Sequence, residues 1–154
     1  MKIFLAKDAG YCFGVRDAVN LAYDTAKTHG EVYMLGTIVH NERVIENLSN
    51  AGAKVVERLD DVPKDKPLLF RAHGTAPELW KNADKKNLDL IDATCPLVTE
   101  IHDEIKKLEE EGRNTIIIGD HGHDEVIAIA AQVSDPIIVA NVDEAKTLRK
   151  MKKA

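Results

Sequence analysis

Runs of four or five apolar residues alternate with longer stretches of helical apolar spacing along nearly the whole sequence, and that alternation admits few folds. The spacing predicts strands at 2–6, 32–35, 53–56, 68–71, 88–91, 115–118 and 136–140. Helices are expected at 15–28, 42–50, 77–86, 97–111, 126–133 and 142–151. Strands joined through helices pair parallel, and helices then cover both faces of the sheet. The expectation is an α/β chain of repeated strand–loop–helix units. Four such units precede the turn at 92–96 and about two follow, so a boundary is expected there. Residues 1–93 would form one complete α/β domain, and 94–154 most of a second, whose thin sheet looks incomplete.

Open α/β sheets bind ligands beyond the carboxyl ends of their strands, where loops and helix N-termini gather. Five loops of that kind hold Cys12, His40, His73, Cys95 and the group His121, His123 and Glu125. His29 and His102 fall instead at a helix end and inside a helix. Random placement would not sort the residues this way. Cys95 precedes Pro96, and proline suits the first helical position, so the thiol should lie at an N-cap beside free amides. The positive end of a helix dipole suits nucleophilic or metal-binding sulfur. Gly10 and Gly14 flank Cys12 and leave room for something bulky to approach it.

Each residue also has a plainer reading. Cys95 could be a small buried turn residue, His40 a capping group, His73 a loop hydrogen-bonder, and His123-Asp124-Glu125 a solvated helix start. Neither G-x-x-x-x-G-K-[ST] nor G-x-G-x-x-G occurs, H-E-x-x-H is absent, and no P-C-x-x-C follows the His123-Asp124-Glu125 triplet. A net charge of -5 with no basic stripe argues against general nucleic-acid binding. The apolar start is too short for a signal peptide, and no run is long enough to span a membrane. Two cysteines do not make a secreted disulfide scaffold, although a Cys12–Cys95 bond in oxidised protein stays open. These features together predict a cytoplasmic protein.

Histidines, glycines and helix N-termini without a lysine cluster suit a phosphate or diphosphate. Thiolates from separate loops suit a soft metal or an iron–sulfur cluster, and a neighbouring carboxylate suits proton delivery. Reductive chemistry on a phosphorylated substrate is the combined expectation.

Five segments, in order, carry a resemblance: Gly10-Tyr11-Cys12-Phe13-Gly14-Val15, Gly36-Thr37-Ile38-Val39-His40-Asn41, Arg71-Ala72-His73-Gly74, Asp92-Ala93-Thr94-Cys95-Pro96 and Gly122-His123-Asp124-Glu125-Val126. Through them the sequence resembles the IspH/LytB family of 4-hydroxy-3-methylbut-2-enyl diphosphate reductases, of the non-mevalonate isoprenoid pathway. The resemblance implies a 4Fe-4S enzyme that takes electrons from ferredoxin or flavodoxin and converts its allylic diphosphate substrate to isopentenyl and dimethylallyl diphosphate. It implies Cys12 and Cys95 as cluster ligands, His40, His73 and His123 as substrate-binding residues, and Glu125 as the catalytic group of the proton relay.

Two departures accompany the resemblance. Asp124 stands where the family usually has proline, which changes the way into the helix that follows. Family members are also longer, with a third α/β unit that supplies a third cysteine and a Ser/Asn-rich diphosphate loop, whereas this chain has two cysteines. The third protein ligand of a cluster would then come from outside the chain, through a homodimer or a companion carboxy-terminal chain. The fragment alone is expected to be inactive or nearly so. Two other readings remain: a non-catalytic truncated or split subunit that binds diphosphate, and a zinc-dependent hydrolase or binding protein using His121, His123, Glu125 and a cysteine.

Overall fold

A computed structural model describes residues 1–7 and 9–148. Its elements run α1 (Phe13–His29), β1 (Val32–Leu35), α2 (Glu42–Asn50), β2 (Ala53–Val56), a 3-10 turn (Leu59–Asp61), β3 (Pro67–Phe70), α3 (Pro77–Lys85), β4 (Asp89–Asp92), α4 (Pro96–Glu110), β5 (Ile116–Ile118), α5 (Asp124–Ala130), β6 (Ile137–Val139) and α6 (Val142–Thr147). The first four strands form one parallel sheet in the order β2-β1-β3-β4, and β5 and β6 pair parallel in a second. The expected α/β class therefore holds.

The interior strand β3 explains how the first sheet is held. Leu68, Leu69 and Phe70 are fully buried, because alternate side chains enter two different cores. Leu69 joins Val32, Met34 and Ala53 beneath α1 and α2. Leu68 and Phe70 face the other way, where Phe70 meets Trp80 of α3 edge-on at 4.4 Å between ring centroids. Burying side chains of this size stabilises the fold by about 1.5–3 kcal/mol each. The two-sided core also fixes the topology. The chain leaves β1 through α2 on one face and leaves β3 through α3 on the other, so the strand order reverses between β1 and β3. A crevice opens at such a reversal, and the loops after these two strands carry His40 and His73.

Several expectations change. Residues 2–6 form no strand: Ile3, Phe4 and Leu5 are 81%, 89% and 87% exposed and pair with nothing among the described residues. A short apolar run becomes a strand only when a neighbouring ladder and a buried face stabilise it, and this run has neither. Cys12 is consequently not preceded by a strand at 2–6. In α4 the buried positions are Val98, His102 and Ile105, whereas Ile101 is 41% exposed. The buried stripe of α4 thus includes a histidine, while Ile101 is turned partly outward. The last expected helix, 142–151, runs past the described residues. Among the described residues no helix is long and apolar enough to cross a membrane.

Candidate functional site

Two helix N-termini position the two thiols. Cys12 is the N-cap of α1 and Cys95 that of α4, with Pro96 at the first helical position, and neither side chain is used in capping. Backbone bonds tie Cys95 to the end of β3, since its N–H donates to the Ala72 carbonyl at 3.0 Å and that of Ala93 to the Phe70 carbonyl at 3.0 Å. The Asp92 carboxylate closes the turn from within by accepting from the Thr94 N–H at 2.9 Å. Cys95 therefore projects beside the loop that carries His73. Its Sγ reaches the first turn of α1, where a Cβ added to Gly14 would lie only 2.4 Å away. Both cysteines are free, and both line one cavity of about 370 Å³ with Val15, His73, Leu97, Ile101 and Glu125 among its walls.

Three imidazoles from three loops form a triangle beside this cavity. His40 precedes the α2 N-cap Asn41, whose side chain accepts from the Val44 N–H. His73 follows β3, and His123 is the N-cap of α5, with Nδ1 accepting from the Glu125 N–H at 3.3 Å. Ring centroids are 5.0 Å apart for His40 and His73, 5.9 Å for His40 and His123, and 6.0 Å for His73 and His123. No two of these residues are close in sequence. His73 and Glu125 border both the triangle and the thiol cavity. The Nδ1 of His73 is buried with no hydrogen-bond partner, an arrangement that favours a ligand able to satisfy it.

Burial, then the neighbouring His40 and the Arg71 charge, hold the His73 imidazole below its ordinary value of 6.5, against a smaller upward pull from Glu125 and Asp124. His102, buried beneath the His73 loop, is lowered chiefly by burial and also by Lys106. Its ring explains why Gly74 follows His73. Gly74 has φ +85, and a Cβ there would stand 2.7 Å from His102 Cε1. Both histidines are held neutral, which fixes a pH dependence. Lowered folded-state values contribute stability that is present above 6.5 and lost as pH falls through those values. Thermal denaturation should show Tm falling as pH is lowered from about 7 to about 5, and the double variant His73→Gln/His102→Leu should flatten that slope.

Of the expected residues, the structure brings together Cys12, Cys95, His40, His73, His123 and Glu125. It separates His121, which turns to α6 and meets Glu144 Oε2 at 2.9 Å. Glu144 is held below the usual carboxylate range by the Ala140 N–H and by His121. The donor set of the zinc reading is not assembled, and among the described residues no three His, Cys, Asp or Glu side chains are arranged to hold a metal ion. Sequence reasoning missed Arg71, which pairs with Asp124 at 2.6 Å, and the buried His102. A signal existed for His102, four residues after Val98 on one helix face; none existed for a contact between residues 53 positions apart.

Comparison with known proteins places these features in a family. The model described as LytB protein matches residues 3–154. A 4-hydroxy-3-methylbut-2-enyl diphosphate reductase of Geobacter metallireducens is 37% identical over 154 residues, which cover 99% of this chain and 54% of that protein. The reductase 2 of Mycobacterium tuberculosis strain H37Rv is 40% identical over 144 residues, 92% of this chain and 43% of that protein. Among solved structures, the E-1-hydroxy-2-methyl-but-2-enyl-4-diphosphate reductase of Plasmodium falciparum superposes with a TM-score of 0.91 at 35% identity, covering 96% of this chain and 47% of that one. The chain spans about half the length of the relatives it matches. With the family match running from residue 3 to residue 154, the chain belongs to the LytB protein family.

Proposed function

We propose that this chain supplies the diphosphate-binding and two-thiolate part of a 4-hydroxy-3-methylbut-2-enyl diphosphate reductase. The observation that carries the proposal is the histidine triangle set against a two-thiol cavity, with His73 and Glu125 on the wall of both. Neutral imidazoles donate N–H groups to phosphate oxygens without the desolvation cost of buried cations, and the unpartnered His73 Nδ1 supports such a ligand. The relatives' names specify that diphosphate.

The donor set fits an iron–sulfur group. Cys12 and Cys95 are soft ligands at helix N-termini, the missing Cβ of Gly14 leaves space for the Cys95 sulfur, and Val15, Leu97 and Ile101 keep the wall apolar. A 4Fe-4S cluster would supply the electrons for cleaving the allylic C–O bond. Glu125 would deliver the proton that lets the hydroxyl leave as water, and the three histidines would hold the diphosphate against the crevice. Two electrons and two protons then convert the substrate to isopentenyl or dimethylallyl diphosphate and water, with ferredoxin or flavodoxin as the electron source and the cytoplasm as the setting.

These 154 residues hold two cysteines, so a third protein thiolate would come from outside them. Partly exposed Tyr11, Phe13, Leu97 and Ile101 around the thiols support apposition of another surface there. A second reading, a module that binds diphosphate and reduces nothing, rests on the histidine triangle alone.

Calorimetric titration with inorganic diphosphate tests the shared part of both readings. Saturable binding is expected, weakened about tenfold or more by His73→Ala, as for loss of one hydrogen bond to a charged group. Absence of binding, or equal binding by the wild type and a variant lacking all three histidines, would count against the proposal.

A further inference from the structure

One guanidinium meets all three loops that carry the clustered histidines. Arg71 directly follows β3 and stands two residues before His73. Its Nη1 lies against Gly36, where a Cβ would be 2.5 Å away, and Gly36, at φ +72, opens the loop that ends in His40. The same Nη1 donates to Asp124 Oδ2 at 2.6 Å, and Asp124 lies between His123 and Glu125. The two side chains are only 23% and 29% exposed, so solvent screens their attraction less than that of an open surface pair. The two sheets share no strand pairing, and this ion pair joins the end of one to the α5 N-terminus of the other.

We propose that Arg71 and Asp124 are positioning residues, whose ion pair sets the spacing of His40, His73 and His123 and thereby the strength with which the three imidazoles hold a diphosphate. The inference rests on the diphosphate reading above. A planar fork suits the task, because its donors are fixed relative to one another and one side chain can brace two neighbouring loops at once. A lysine ammonium in the same place carries the charge without that geometry. The pairing also argues against Arg71 as a direct anion ligand, since its Nη1 is already directed at a carboxylate.

The sign of one substitution separates the two roles. Removing the Asp124 charge would by itself favour a bound anion, and would free Arg71 to contact it. A loss of affinity in Asp124→Asn can therefore come only from lost placement. We expect Asp124→Asn and Arg71→Lys each to weaken binding of inorganic diphosphate to the full chain about tenfold, and the double variant to weaken it no more than either single change. Histidine ring resonances read by NMR at constant pH without ligand should move for His40, His73 and His123 together in each variant. Tighter binding by Asp124→Asn, full additivity in the double variant, or ring resonances that stay in place would overturn the proposal. A wild-type chain that binds no diphosphate would refute the diphosphate reading instead, and the ring resonances would still decide whether the ion pair spaces the histidines.

Discussion

Cys95→Ser is expected to reduce iron and acid-labile sulfide to background after anaerobic reconstitution of the chain with iron, sulfide and a small thiol, at least tenfold below the wild type. The reason is chelation. Two thiolates fixed on separate helix N-termini would hold a cluster at two points, so that either bond could break and re-form without release; one thiolate alone would give no such advantage. Serine preserves the size of the side chain but replaces soft sulfur with hard oxygen. The loss should therefore occur with the fold intact, visible as an unchanged far-ultraviolet dichroism spectrum. Equal iron and sulfide in wild type and variant would mean that the metal is bound elsewhere. A wild-type chain that takes up no sulfide-linked iron even with the added thiol would favour the diphosphate-binding module over the reductase part.

Gly14→Ala should destabilise the chain although alanine is the better helix former. The propensity gain is at most about 1 kcal/mol. Against it stands a Cβ that would lie 2.4 Å from Cys95 Sγ and 3.0 Å from Cys95 Cβ. Rotation about the single χ1 of cysteine can move the sulfur but not its Cβ, so α1 or the Asp92–Cys95 turn has to shift. Overpacking of this kind costs about 1–3 kcal/mol, so the net effect should be a Tm lower by several degrees. The Cys95→Ala change should recover much of that loss in the double variant, because it removes the closer of the two contacts. Gly122→Ala is the control: nothing lies within 4 Å of an added Cβ there, and its stability should stay within about 0.5 kcal/mol of the wild type. A Gly14→Ala protein as stable as that control would show that the thiol does not rest against α1.

What could be read ahead of the structure follows from which forces are local. β1, β2 and α2 fall at the expected bounds, because alternation, an Asn N-cap and a glycine after the helix act within a few residues. β3 begins one residue earlier than expected, at Pro67, since a strand's first residue can lack a donor. The gathering of cysteines and histidines in loops was visible because parallel sheets send their loops to one edge. The expected strand at 2–6 failed for the complementary reason: its apolar pattern is local, but a strand exists only with a partner. The position of His121 could not be read either. Only Gly122 separates it from His123, yet a carboxylate on α6 draws it away while His123 caps α5. The Arg71–Asp124 pair is wholly tertiary, and no periodicity announces it.

Chemical-shift mapping of the isotopically labelled chain during titration with inorganic diphosphate tests the convergence of these loops most directly. The structure offers a competing location, a larger cavity of about 580 Å³ that shares Gly36, Arg71 and Asp124 with the histidine loops and is lined on its far side by Arg58, Asn82, Lys85 and Lys86, where Asp60 already pairs with Arg58 and Lys86. Large shifts confined to residues 36–41, 72–75 and 122–126 are predicted, because three separate loops would respond to one ligand. Shifts concentrated at 57–60 and 82–86, or spread thinly over the surface lysines, would contradict the account.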